Sequence, residues 1–141
     1  MTRRLCEEQN RQGMANSNIG FSASQADPCC LEGEGADSQV MFENIVINGG
    51  DWKEEEGIFI ALKAGTYHFS WTAQSEEGSE LQLFLKKNAQ KVASCFAEEN
   101  GDQTCSGSVA FSLEKDDTIF LIVNQGNLLN PGSTTFKGYR I

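Results

Sequence analysis

A chain of 141 residues with a net charge of −9, a pI near 4.5 and 39% hydrophobic residues has the length of one domain and is too apolar to be disordered. Its acidity repels phosphates, which excludes nucleic-acid binding through a basic patch and leaves cationic surfaces or calcium as charge-matched partners. No apolar run of about 18 residues occurs, so neither a spanning helix nor membrane insertion is expected.

Residues 1–18 (MTRRLCEEQNRQGMANSN) have a basic start without the apolar run of a signal peptide, and are expected to be a flexible N-terminal tail. They contain no Gly-X-Y repeat of a collagen stalk. From Ile19 to Ile141 the pattern is that of short strands separated by turn chemistry. Ile19–Ser24 is the first strand, followed by a Gly, Asp, Glu and Cys-rich loop over Asp27–Ser38. Val40–Ile47 alternates in part before the turn Asn48-Gly49-Gly50-Asp51. Ile58–Leu62 comes next, then Thr66–Ala73 and Leu81–Lys86, with a turn at Lys87–Gln90. Lys91–Ala97 and Ser106–Leu113 flank an acidic loop. Thr118–Asn124 is apolar enough to be central, Asn124–Ser133 is a long Asn/Gly loop, and Thr134–Ile141 closes the chain. About eight to ten short strands joined by turns specify an all-β sandwich or jelly roll.

The strongest strand is Thr66–Ala73. Tyr67, Phe69 and Trp71 fall on one face of it, and Thr66, His68, Ser70 and Thr72 on the other. Only one face of a strand in a sandwich points between the sheets. The aromatic face is therefore core, and the small polar face meets water or another subunit.

The spaced set Phe42, Asn48, Trp52, Phe59, Gly65, Tyr67, Phe69 and Trp71 resembles the signature of the complement C1q globular head. Further segments match in order. Phe21-Ser22-Ala23 resembles the family's opening strand, and Leu85-Lys86-Lys87-Asn88 its Leu-x-Lys-Asn before a tight turn. Ser106-Gly107-Ser108 with Leu113, Asp116 and Asp117 resembles its Ser-Gly-x…Leu-x-x-Gly-Asp segment, and Phe136-Lys137-Gly138-Tyr139 its closing strand. Asp116 stands where the family has Gly, Ala89 replaces a common turn Gly, and the gap from Asn48 to Trp52 is one residue short. The resemblance implies a C1q/TNF-type antiparallel jelly roll of ten strands, with close termini and a compact homotrimer.

Five cysteines fit no common zinc spacing, and the odd count leaves at least one thiol free or paired between chains. The adjacent Cys29 and Cys30 would form a strained ring. Cys95 with Cys105, and Cys6 with one of the vicinal pair, is the disulfide reading; five reduced thiols is its alternative. Asn100-Gly101 spells a tight hairpin that would set Cys95 opposite Ser106. The resemblance instead sends the flanking strands into opposite sheets, which admits a cross-sheet disulfide.

Chemistry candidates are few. His68 is the single histidine, held between aromatic neighbours, and a structural or interface role suits it better than a catalytic triad, so no enzyme is expected. Glu54-Glu55-Glu56 and Glu76-Glu77 read as solvated loops. Glu98, Glu99 and Asp102 precede Ser106, where the resemblance implies calcium-binding acids near the trimer apex. Carboxylates, Asn and carbonyls are the oxygen ligands calcium takes. Asn124, Gln125, Asn127, Leu128 and Asn130, with Leu129, form the candidate ligand loop, in which the leucines look exposed. No N-glycosylation sequon occurs. By resemblance the chain is a secreted recognition module of innate immunity, taking microbial polysaccharide, lipopolysaccharide or a protein receptor. A structural trimerisation head of a longer extracellular chain is the alternative.

Overall fold

The computed structural model describes residues 19–24, 31–32, 38–53, 56–100, 103–129 and 134–141. The tail expected over 1–18, Cys6, Cys29, Cys30, Asp102 and Asn130 lie outside them. The described residues form strands and turns without a helix. The strands are β1 (Gly20–Ser24), β2 (Leu31–Glu32), β3 (Ser38–Val40), β4 (Asn44–Asn48), β5 (Asp51–Lys53) and β6 (Ile58–Ile60). They continue with β7 (Gly65–Gln74), β8 (Leu81–Lys87), β9 (Gln90–Ala97), β10 (Thr104–Leu113), β11 (Thr118–Gly126) and β12 (Thr135–Arg140).

All pairings are antiparallel and make two sheets. The five-stranded sheet runs β10-β7-β12-β1-β4. In the seven-stranded sheet β11 pairs β8 along one side and β3 and β6 along the other, with β2, β5 and β9 outside. Consecutive strands often lie in different sheets, which is the jelly-roll wrapping. The expected strand Val40–Ile47 divides, because the chain changes sheet within it: β3 is in one layer and β4 in the other. Phe42 sits at the crossing, buried 6.0 Å from both Trp52 and Phe136. β9 and β10 are in opposite sheets, so Asn100-Gly101 does not close a two-strand ladder.

Tyr67, Phe69 and Trp71 of β7 are buried between the sheets. Phe21 ties the layers, with its ring 4.7 Å from Phe59 in the facing sheet and 4.9 Å from Phe136 in its own. Two glycines make room for this packing. A Cβ on Gly138 would stand 2.5 Å from the Phe69 ring and 2.6 Å from the Phe21 ring. A Cβ on Gly107 would stand 2.5 Å from the Trp71 ring. The glycines of Ser-Gly-Ser and of the closing strand are therefore spaces occupied by neighbouring rings.

The end of the sandwich that holds Ile19 and Ile141 is fastened by hydrogen bonds. The Arg140 N–H donates to the Ile19 carbonyl and the Ile141 N–H to the Thr66 carbonyl. Asn88 turns the β8–β9 hairpin at φ +55°. Its side-chain oxygen accepts from the Thr118 N–H at 3.0 Å and the Thr118 hydroxyl at 3.2 Å, and its amide donates to Asp117 at 3.0 Å. The Asp117 carboxylate also accepts from the Glu114 N–H at 2.8 Å and lies 3.8 Å from Lys87 Nζ. The Glu114 N–H, then the Asn88 amide, hold the Asp117 carboxyl below its ordinary range. This pins the Lys-Asn turn to the start of β11.

Gly138→Ala is expected to destabilise by about 1–3 kcal/mol through overpacking, read as a Tm lowered by several degrees; an unchanged Tm would show that both rings yield freely. The depressed Asp117 pKa contributes stability that is complete above the unfolded value near ~3.9 and is lost as pH falls through the folded value. In acid denaturation, Asp117→Asn should therefore start less stable at neutral pH and show a shallower loss below about pH 4. A parallel pH profile for the two proteins would remove Asp117 from that slope.

Candidate functional site

At the end of β7 away from Ile19 and Ile141, the described residues of three connections meet: 75–80 after β7, Gln103 before β10 and 127–129 after β11. Beneath them Cys95 of β9 and Cys105 of β10 are bonded, with a Cα–Cα distance of 5.4 Å. Both are buried, and the disulfide joins one sheet to the other. The Trp71 indole N–H points at Cys95 Sγ, 3.3 Å away. The Ser75 N–H donates to the Gln103 carbonyl at 2.7 Å, which fixes the first connection to the second.

The described residues of the candidate ligand loop, 124–129, are tied to neighbouring segments more than their composition suggests. Asn124 and Gln125 belong to β11 rather than to a loop. A register shift between Val123 and Gln125 leaves Asn124 as the extra residue of the β11–β8 ladder. The Asn124 amide donates to Gln82 at 2.8 Å, and the Gln125 amide to the Glu80 carboxylate at 2.6 Å. Asn127 donates from its backbone to Ser79 Oγ at 3.1 Å and from its side chain to the same oxygen at 3.2 Å. Leu128 is buried, not exposed, because it bridges to Ser75 beside the β7 end. Leu129 is partly buried, with its N–H on the Gln74 carbonyl at 2.8 Å. The amides thus hold the 75–80 connection in place. Ser79 and Gln103 are the fastening partners that composition did not single out; small polar residues in a turn carry no distinctive signal.

Glu76, Glu77, Glu98 and Glu99 remain exposed at this end, which makes its described surface anionic. Glu98 and Glu99 stand beside Asn100 at the tip, and Asp102 is outside the described residues. Among the described residues no three His, Cys, Asp or Glu side chains gather into a group that could hold a metal ion. His68 lies away from this end, on the outer face of the five-stranded sheet, 5.2 Å from the Tyr139 ring.

The model of the C1q domain matches residues 20–141. The chain belongs to the C1q domain family. The B subunit of the complement C1q subcomponent from Bos taurus is 26% identical over 133 residues, covering 90% of this chain and 53% of the relative. The chain thus spans about half the length of the curated relative it matches. Among solved structures, the globular domain of zebrafish complement 1qA protein superposes with a TM-score of 0.69 at 22% identity, covering 87% of this chain and 97% of that one. Murine APRIL superposes with a TM-score of 0.64 at 13% identity, covering 89% of this chain and all of that one. At these identities the two structures establish the shared jelly roll. Within the C1q frame, Asp116 takes φ +75° where the family pattern has glycine, so the divergent residue retains the backbone shape.

Replacing Cys95 and Cys105 together by Ala should destabilise the domain by roughly 2–3 kcal/mol, as the chain-entropy model gives for a short closed loop. Non-reducing peptide mapping of the natural chain should recover the two cysteines as one linked pair. Two freely alkylated thiols would contradict the bond.

Proposed function

We propose that this C1q domain is a secreted, homotrimeric recognition head of innate immunity that binds microbial surface polysaccharide, lipopolysaccharide or a protein receptor. The observation that carries the reading is the outer face of the five-stranded sheet. Register aligns Ser108, Ser70, Lys137, Ser22 and Val46 in one row across it, and Ala110, His68, Tyr139 and Gly20 in the next. Small side chains let a second backbone approach closely. Tyr139 and Val46 are 52% and 72% exposed, and an open hollow of about 580 Å³ is lined by residues of the paired strands β1 and β12, among them Tyr139, together with Ile141. Exposed apolar groups beside a shallow hollow are what a neighbouring subunit covers. A trimer built this way leaves the three-loop end free for ligand.

Calcium belongs to the same proposal. One subunit offers Glu98 and Glu99 at the tip, with Asp102 close in sequence. A trimer would carry three times −9, or −27, and a divalent ion shared by neighbouring loops would relieve that repulsion. No helix among the described residues is long and apolar enough to cross a membrane.

Light scattering should give about three times 15.5 kDa, and Tyr139→Asp should lower that mass towards one subunit. Arrays of microbial glycans and lipopolysaccharides should show saturable binding. A monomeric natural chain would overturn the trimer, and an array without a bound ligand would overturn glycan recognition and leave a protein receptor or assembly as the domain's role. Millimolar calcium should raise the Tm above that in chelator, with magnesium doing so less; identical melts would remove calcium.

A further inference from the structure

The outer face of the seven-stranded sheet has a chemistry unlike the rest of this acidic chain. Strand alternation turns Gln82, Phe84 and Lys86 of β8 outward, because Leu81, Leu83 and Leu85 are buried. Register sets Lys86 opposite Lys91 on one side and Phe120 on the other. Lys91 Nζ lies 4.7 Å from the centre of the Phe84 ring, which places both on this face. Phe96 is 49% exposed in the row of Gln82, whose side chain holds the Asn124 amide.

The β8–β9 ladder shifts register between Leu85 and Lys86, and beyond that shift two lysines are paired, where like charges repel. A lysine on an edge strand is readily explained as a guard against unwanted strand pairing, and Lys91 on β9 fits that. Lys86 does not, since β8 is paired on both sides and has no edge to guard. Lys87, next along β8, already faces Asp117. No ion pair to Lys86 or Lys91 is formed among the described residues. An anionic occupant seated on both lysines would relieve the repulsion of this like-charged pair.

We propose that this face is a platform for an acidic polysaccharide, with Lys86 and Lys91 taking its carboxylates or sulfates and Phe84 and Phe96 taking the apolar faces of its sugar rings. The Gln82–Asn124 amide pair lies alongside as a hydrogen-bonding partner for hydroxyls. Both sides of β8 being paired, the centre of the platform offers side chains and no free main chain, which suits a sugar better than an extended acidic peptide. The loop end is anionic and would repel the same ligand. The proposal rests on the recognition reading, but places this ligand class on the sheet and not on the loops.

The test is titration of the whole chain with a heparin octasaccharide, using dextran and a poly-glutamate peptide of matched charge as comparisons. Saturable binding to the octasaccharide alone is expected. The double variant Lys86→Gln, Lys91→Gln should weaken it at least tenfold, and Phe96→Ser several-fold, with the Tm of each held close to that of the natural chain. The variant Lys63→Gln, which removes an exposed lysine outside β8 and β9, should leave affinity unchanged. Equal loss in that control, undiminished binding in the Lys86/Lys91 variant, or equal binding of poly-glutamate would each overturn the platform. If array glycans bind the natural chain and the Lys86/Lys91 variant alike, the platform falls and the recognition reading stands. If no array ligand and no octasaccharide binds, the platform and the glycan part of the recognition reading both fall.

Discussion

Everything in this domain depends on one strand placing three large rings between two sheets. Tyr67, Phe69 and Trp71 share a face because strand side chains alternate with a period of two. Their burial selects the register of β7 against both β10 and β12, since a slip of one residue would put His68 and Ser70 into the core. Phe69 and Trp71 fit because one cross-strand partner of each has no side chain. Gly138 is registered with Phe69, and Gly107 with Trp71. Each pair is one large residue and one absent side chain, so their combined volume is set across the ladder and not by either strand alone.

The same alternation fixes what faces outward. With the rings turned in, β7 turns out Thr66, His68, Ser70 and Thr72, and β10 adds Ser106, Ser108, Ala110 and Ser112 beside them. A sheet face of small side chains neither packs a core nor repels a neighbour. The disulfide then links the layers at the other end of the same strand, where the Trp71 indole reaches Cys95. Core, outer face and loop anchorage are thus successive consequences of the order of residues in a ten-residue strand.

Much of this was legible in the sequence because alternation is local. The aromatic run over 67–71 marks its strand and its buried face without reference to any partner. The division of Val40–Ile47 was not legible, since a chain changing sheets keeps enough alternation to look continuous, and only the facing layer shows why Phe42 turns inward. Leu128 was misplaced for a related reason. In a run of Asn and Gly two leucines look solvent-facing, yet the Ser75 bridge that buries Leu128 joins residues more than fifty positions apart. Asn124 and Gln125 likewise read as loop because their partners, Gln82 and Glu80, lie on another strand. Recognition of the C1q pattern carried the decision that local turn chemistry would have got wrong, at Asn100-Gly101.

Charge is distributed against the average. The loop end gathers Glu76, Glu77, Glu98 and Glu99, whereas the β8–β9 hairpin carries Lys86, Lys87 and Lys91 within six positions. Surface charges separated by more than a Debye length of about 8–10 Å are largely screened from each other at physiological salt. The two groups of charges therefore need not neutralise one another. A net charge of −9 describes the solubility of the chain but not its contacts. Selection of an anionic or a cationic ligand follows from the local arrangement of charges, and the glutamates of the loop end and the lysines of β8 and β9 occupy different parts of the jelly roll.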